Sequence, residues 1–151
     1  MDPGSWAASI DINVVAPASL VFRLLPEMLD AGWGRIANVS TGVAANPRFM
    51  IGGNAYATTK AALEARTLNL AAEVADTGVT VNVFRPGTVD TAMQAWIRDR
   101  GAGQVSTDLH KHFTRLHTEG RLITPEQSAR SLVARLDSES TGQIWDISDV
   151  L

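Results

Sequence analysis

Apolar positions near the start of the chain recur at Ile10, Val14, Val21, Leu25 and Leu29, with Leu20 and Leu24 beside them. That three-to-four spacing predicts a helix from about Ser5 to Ala31, with Gly32 as its stop. Pro17 and Pro26 fall inside the pattern, so a kink or break is expected in place of one straight rod. Arg35-Ile36-Ala37-Asn38-Val39-Ser40 reads as a short, mostly buried strand, and a loop bearing glycine and proline follows from Thr41 to Asn54. The alanine-rich stretch from Ala55 to Thr77, with Leu63, Glu64, Leu68, Leu70 and Glu73, predicts a second helix ended by Gly78. Val79-Thr80-Val81-Asn82-Val83-Phe84 is β-branched and apolar, hence a buried strand, closed by Arg85-Pro86-Gly87.

From Thr88 to Gly120 the pattern is irregular, with short helices expected around Met93 to Arg98 and Leu109 to His117. Thr124-Pro125-Glu126-Gln127 is a capping box with proline at the first helical position, which predicts a helix from Pro125 to Asp137. Gln143 to Ile147 supplies a last strand. This alternation of helix and strand implies an α/β fold with parallel strands and right-handed crossovers. No repeat, low-complexity tract or linker interrupts it, so residues 1–151 read as a single domain.

Composition narrows the function classes. With 45% hydrophobic and 19% charged residues, the chain lies far from the disordered regime. Its formal charge of -3 argues against nucleic acid or an anionic membrane as the main partner. Having no cysteine excludes disulfides, thiolate nucleophiles and cysteine-ligated zinc. Met1-Asp2-Pro3-Gly4 has neither a basic start nor a following apolar run, so no signal peptide is read there. The longest nearly uncharged stretch, Ile12 to Phe22, reads as too short to span a bilayer, and a cytoplasmic location is expected.

The sharpest candidate for chemistry is Tyr56-Ala57-Thr58-Thr59-Lys60. A tyrosine and a lysine four apart share one helix face, so an ammonium can act on the region of the phenol. A free phenol titrates near pH 10 and serves as a base at neutral pH only where a cation favours the phenolate. Taken alone, the motif is weak and fits a helix-start aromatic with a solvated lysine better than a catalytic pair. His110-Lys111-His112 with His117 has no carboxylate at matching helical spacing, so it reads as a surface or pocket group and no metal site is assigned. Met93 and Trp96 are candidates for a substrate pocket, a core or a lid, and Arg98-Asp99-Arg100 reads as a solvated helix end.

Several segments together resemble the C-terminal part of the short-chain dehydrogenase/reductase family. Asp11-Ile12-Asn13 resembles the segment of its active-site asparagine. Gly34-Arg35-Ile36-Ala37-Asn38-Val39-Ser40-Thr41 resembles the strand ending in its catalytic hydroxyl. Asn54-Ala55-Tyr56-Ala57-Thr58-Thr59-Lys60-Ala61-Ala62 closely matches the segment of its tyrosine and lysine. Val79 to Val83, then Arg85-Pro86-Gly87-Thr88-Val89-Asp90-Thr91, resembles the next strand and the turn that meets nicotinamide.

The resemblance implies a partial Rossmann-type fold, a three-stranded parallel sheet with flanking helices. It implies hydride transfer between NAD or NADP and a small alcohol or carbonyl substrate, with Tyr56 as general acid or base. Lys60 would lower the pKa of Tyr56 and hold the nicotinamide ribose, and Asn13 would anchor a water in the proton path. Thr41, with Ser40 as its rival, would hydrogen-bond the substrate oxygen. Pro86, Gly87, Val89 and Thr91 would face the nicotinamide. Helices carrying Asn13 and Tyr56 would also form a homo-oligomer interface, and the small residues Ala57, Ala61, Ala65, Ala72 and Ala75 suit close helix packing.

Two departures stand out. Thr41 occupies the position of the usual serine, adding a methyl group that restricts its rotamer. None of the twelve glycines forms a glycine-rich turn between a strand and a helix N-terminus, the place where a pyrophosphate would sit. The segment Met1 to Trp6 resembles the loop just before the asparagine helix, so Met1 reads as an internal methionine of a longer frame. On this reading the strand Arg35 to Ser40 becomes an open apolar edge. Two functions follow: an oxidoreductase that is partial or is completed by another polypeptide, or an inactive product that acts only through association.

Overall fold

The computed structural model describes residues 2–149. Its centre is a parallel sheet in the order β1-β2-β3, made of β1 (Gly34–Val39), β2 (Val79–Arg85) and β3 (Ile144–Asp146). The last strand is shorter than the hydropathy pattern implies, because Ile147 already opens a 3-10 turn. β2 is buried from Val79 to Phe84 because it lies between two strands and carries layers on both faces. Asn82, at 1% exposure, fastens β3 to it: its side-chain nitrogen donates to Ser140 O and its oxygen accepts from Gln143 N.

The first helical segment runs without a break from Pro3 to Asp30, as α1 (Pro3–Ile10), a π turn (Asp11–Val15) and α2 (Ala16–Asp30). The expected break does not occur. In the π turn Ala16 donates its amide to Asp11 O, five residues back, so the ladder is already widened where Pro17 enters it. Pro26 is accommodated inside α2. The segment expected to be a loop before this helix is itself helical from Pro3, while Met1 lies outside the described residues.

This continuous helix also corrects the bilayer reading. By length and composition Pro3–Asp30 is long and apolar enough to cross a membrane. In the fold, however, Val21 packs into the core with Leu70, Ala71, Val74, Val79 and Val81, and Leu25, Met28 and Ile36 close around them. α2 is therefore a layer on the sheet.

The remaining helices are α3 (Asn54–Glu73), α4 (Ala92–Arg100), α5 (Thr107–Thr118) and α6 (Pro125–Leu136). The capping box of α6 forms as the sequence implies, with Thr124 and Gln127 bonding reciprocally. α3 ends earlier than expected, at Glu73, and Asp76 takes the left-handed conformation with φ 62° before the chain reaches Gly78. A second core gathers Ile97, Leu109, Phe113 and Leu116 of α4 and α5, with Met50, Val105 and Leu122.

Gly78 leads into β2 with φ 83°, and a Cβ there would overlap the carbonyl of Gly32 at the end of the first helical segment. Both the dihedral and the contact demand glycine. Gly78→Ala should destabilise the fold by about 3 kcal/mol. Urea denaturation checks this, and an unchanged midpoint would rule out the close approach of the two turns.

Candidate functional site

β1 and β2 run in register from Gly34↔Val79 to Val39↔Phe84, so their C-terminal ends finish side by side. Ser40 continues the pairing by donating its amide to Phe84 O at 2.7 Å. The chain thus leaves β1 through Ser40 and Thr41 next to the point where it leaves β2 through Arg85, Pro86 and Gly87.

The two hydroxyls at the end of β1 have different surroundings. Ser40 is 3% exposed and its Oγ has no partner among the described groups. By alternation it shares the face of Ile36 and Asn38, and Asn38 donates to Thr67 of α3 at 3.0 Å. Thr41 is half-buried and caps a short 3-10 turn, Gly42–Ala44, by accepting from Val43 N at 3.3 Å. That bond uses an oxygen lone pair and leaves the Thr41 proton for another acceptor.

α3 carries Tyr56 and Lys60 on one face. Its first residue is held by α1, because Trp6 Nε1 donates to Asn54 Oδ1 at 3.1 Å. The half-buried Lys60 donates from Nζ to the carbonyl of Val39 at 2.9 Å, at the end of β1. Burial holds the lysine below its ordinary value of 10.5. Asn13 sits in the π turn, which packs against α3, and its side-chain nitrogen donates to Ser9 O at 3.1 Å.

On the β2 side, Gly87 has φ 76°, and a Cβ there would run into Ile123 and Ile147. Ser128 donates to Pro86 O at 3.4 Å. Val89 bridges Ile123, with Ile123 N donating to Thr88 O and Asp90 N to Ile123 O. Thr91 precedes α4 without a side-chain capping bond. The turn from Pro86 to Thr91 is therefore held from behind by α6 and the segment before it, with the Thr91 hydroxyl left free of the helix.

One pair was not picked out from the sequence. Glu64, one turn after Lys60, accepts both the Nε and an Nη hydrogen of Arg85, at 2.9 and 2.7 Å. The side chains are only 10% and 14% exposed, and the hydrogen bond to Glu64 raises the Arg85 pKa above its usual range. This pair locks the catalytic-candidate turn of α3 to the residue before Pro86. A glutamate four after Lys60 and an arginine ending an apolar strand were the available signals.

Other sequence candidates lie elsewhere. Met93 and Trp96 are exposed on α4. Arg98 departs from the solvated reading: its side chain is 14% exposed and sits 3.6 Å from Asp90. The ring of His110 bonds Arg98 O at 3.0 Å, and His112 makes edge contacts with Phe49 and Phe113. A cavity of about 510 Å³ lies between the Pro47–Gly52 loop and Asn54, Ala57, Thr58 and Ala61 of α3. Those α3 positions lie on a flank of the helix adjoining the one that carries Tyr56 and Lys60.

Two measurements test this arrangement. Because burial penalises charged Lys60, its contribution to stability is unfavourable at neutral pH and is relieved as pH rises through the folded pKa toward 10.5. The Lys60 side-chain resonance should accordingly titrate below 10.5, and a midpoint at or above it would contradict the desolvation. Glu64→Ala strands a buried guanidinium and should cost about 3 kcal/mol in urea denaturation, with much of that recovered in a double Glu64→Met, Arg85→Met variant. Equal losses in single and double variants would rule out coupling.

The model for "short chain dehydrogenase" matches residues 1–101. The chain is 36% identical over 142 residues to the acetoacetyl-CoA reductase of Cupriavidus necator, covering 94% of this chain and 53% of that protein. It superposes on a Saccharomyces cerevisiae short-chain dehydrogenase/reductase with a TM-score of 0.85 at 28% identity, covering 99% of this chain and 59% of that one. A Beutenbergia cavernae protein solved with bound NADP aligns with a TM-score of 0.78 at 28% identity, covering 97% of this chain and 57% of its own. The chain spans about half the length of the curated relatives it matches and corresponds to their C-terminal portion.

Proposed function

The chain belongs to the short-chain dehydrogenase family, and from that premise we propose that it carries the catalytic, nicotinamide-facing half of an NAD(P)-dependent oxidoreductase acting on a small alcohol or carbonyl compound. The observation that carries the reading is the reach of Lys60 from the tyrosine face of α3 to the end of β1, beside Ser40 and Thr41. The residues present suit the nicotinamide end of such a cofactor: the Pro86–Thr91 turn is held from behind by Ile123, Ile147 and Ser128, and the Thr91 hydroxyl has no capping role. The glycine-rich turn for the pyrophosphate is not in this sequence.

The bound cofactor supplies or takes the hydride. In reduction Tyr56 gives its phenolic proton to the substrate oxygen, and in oxidation the phenolate takes it back. The Lys60 ammonium, on the same helix face as the phenol, would hold the nicotinamide ribose hydroxyls. Thr41 donates to the same substrate oxygen as charge grows on it, while Ser40 lies too deep to reach substrate. Asn13 holds a water that relays the proton outward. Val89, with Pro86, Gly87 and Thr91, shapes the wall for the carboxamide.

The second reading is an inactive product that associates through the helices carrying Asn13 and Tyr56. In its favour, Phe22 and Leu29 of α2 are exposed, and the Arg66 guanidinium of α3 lies over the Phe22 ring at 5.4 Å. That gives the two helices one joint surface for a homo-oligomer.

The test is NAD(P)H oxidation with acetoacetyl-CoA. The 151 residues by themselves should show no turnover. Mixed with the N-terminal part of the Cupriavidus necator reductase, they should turn over, with Tyr56→Phe lowering the rate by about a thousandfold. Thr41→Ala should lower it by about a hundredfold and Ser40→Ala by far less. Turnover that survives Tyr56→Phe would overturn the mechanism, turnover by the isolated chain would overturn the half-site, and silence in both leaves the associative reading.

A further inference from the structure

The two ends of α3 are held in different ways. Toward its C-terminus, Leu70, Ala71 and Val74 pack into the apolar cluster with Val21, Val79 and Val81. Toward its N-terminus, where Tyr56 and Lys60 stand, the buried residues are Ala57, Thr59, Leu63, Glu64 and Thr67, and only Leu63 is a large hydrophobe. Apolar packing is non-directional, so in this half polar bonds set the height and rotation of the helix. The Asn38–Thr67 and Lys60–Val39 bonds reach β1, and the Trp6–Asn54 bond reaches α1. Among the described residues, the two bonds between Glu64 and Arg85 are the only hydrogen bonds from α3 to β2.

Arg85 ends β2 and directly precedes Pro86 and Gly87. It is fixed from the far side as well, because it pairs in register with Asp146 of β3, whose charge adds to the hold on the guanidinium. Asp146 is itself anchored: its Oδ1 accepts from Ser148 N and Oγ at 3.0 and 2.7 Å, and its carbonyl accepts from Arg135 of α6 at 3.2 Å. Each strand end is thus gripped by a charged side chain from a helix, Val39 by Lys60, Arg85 by Glu64 and Asp146 by Arg135. Two methionines would fill the space of Glu64 and Arg85 without desolvating two ions, so burial alone gives no reason for an ion pair there. Two parallel N–H···O bonds supply what apolar packing lacks, a fixed distance and angle.

We infer that Glu64 and Arg85 are positioning residues for the reaction: their bidentate pair holds the Lys60 turn of α3 and the Pro86–Thr91 turn at one spacing, so that the group for the ribose and the groups for the carboxamide meet the same nicotinamide. Neither side chain meets substrate or cofactor in the proposed mechanism, and the pair acts through Lys60 and the Pro86–Gly87 turn. This rests on the oxidoreductase reading for its chemistry, while the spacing has a readout that needs no cofactor. Its consequence is that stability and catalysis are separable at this pair.

The discriminating variant is the double Glu64→Met, Arg85→Met, which removes both charges together and leaves the local net charge unchanged. Its urea midpoint should stay close to that of the unaltered chain. In the isolated chain the Lys60 side-chain titration should nevertheless move up toward 10.5, because a turn of α3 free to drift lets the ammonium leave Val39 O for water. Amide signals from Gly87 to Thr91 should broaden at the same time. In the turnover assay with the N-terminal part of the Cupriavidus necator reductase, kcat should fall about a hundredfold while KM for acetoacetyl-CoA holds. Arg85→Lys keeps the charge but not the bidentate geometry and should fall between the two, and it decides the matter should the double variant not fold.

A stable double variant with unaltered kcat, or losses of kcat that merely follow the urea midpoints of the two variants, would overturn the positioning role. So would a Lys60 midpoint that does not move. Silence of the unaltered mixture would sink the oxidoreductase reading instead, and the Lys60 titration and the Gly87–Thr91 signals would then decide the spacing by themselves.

Discussion

Everything in this molecule hangs on the complete burial of one strand. β2 is apolar and β-branched, and every backbone polar group it takes out of water needs a partner. β1 and β3 supply those partners along its edges, while Asn82, nearly inaccessible, satisfies the carbonyl and amide that bring β3 alongside. Once β2 is fixed, α2 and α3 cover one face through Val21, Leu70, Ala71 and Val74. The positions of Lys60, Thr41 and Gly87 are consequences of that packing.

Two polar devices refine what the hydrophobic effect arranges. Burial of side chains sets the layers, but it is non-directional and cannot fix where one helix turn stands relative to a strand end. The bidentate Glu64–Arg85 pair does so, and its desolvation makes it a constraint on position more than a source of stability. The Lys60 bond to Val39 O is a different device. It satisfies an outward carbonyl that an edge strand would otherwise leave to solvent.

Most elements were legible from hydropathy alone. The strands, the capped helix at Thr124 and the long alanine-rich helix all appear where their periods and turn residues place them. Boundaries were less legible. Pro17 argued for a break, yet the π turn widens the ladder and the helix continues, a choice made by packing on the sheet. Asp76 adopts the left-handed conformation ahead of Gly78, and Gly78 itself is the residue that meets Gly32 closely. The first helix is long and apolar enough for a bilayer only as the continuous run Pro3–Asp30, because the π turn carries it past Asp11 and α2 carries it past Arg23.

For the site, the i to i+4 spacing was enough to single out Tyr56 and Lys60, because helix geometry is a local property, whereas Asn13 and the Pro86–Gly87 turn were legible only through the resemblance to the family. Which hydroxyl is accessible was not local. Ser40 is buried and Thr41 is not because the pleat and the height of α3 over β1 decide it. Neither the partnership of Glu64 with Arg85 nor the seat of Lys60 on the β1 edge can be read from a string of residues. Local periodicity determines which segments are helix and strand and which side chains share a face. Only the tertiary packing determines which of those faces meet, because it alone sets the distances across elements far apart in sequence.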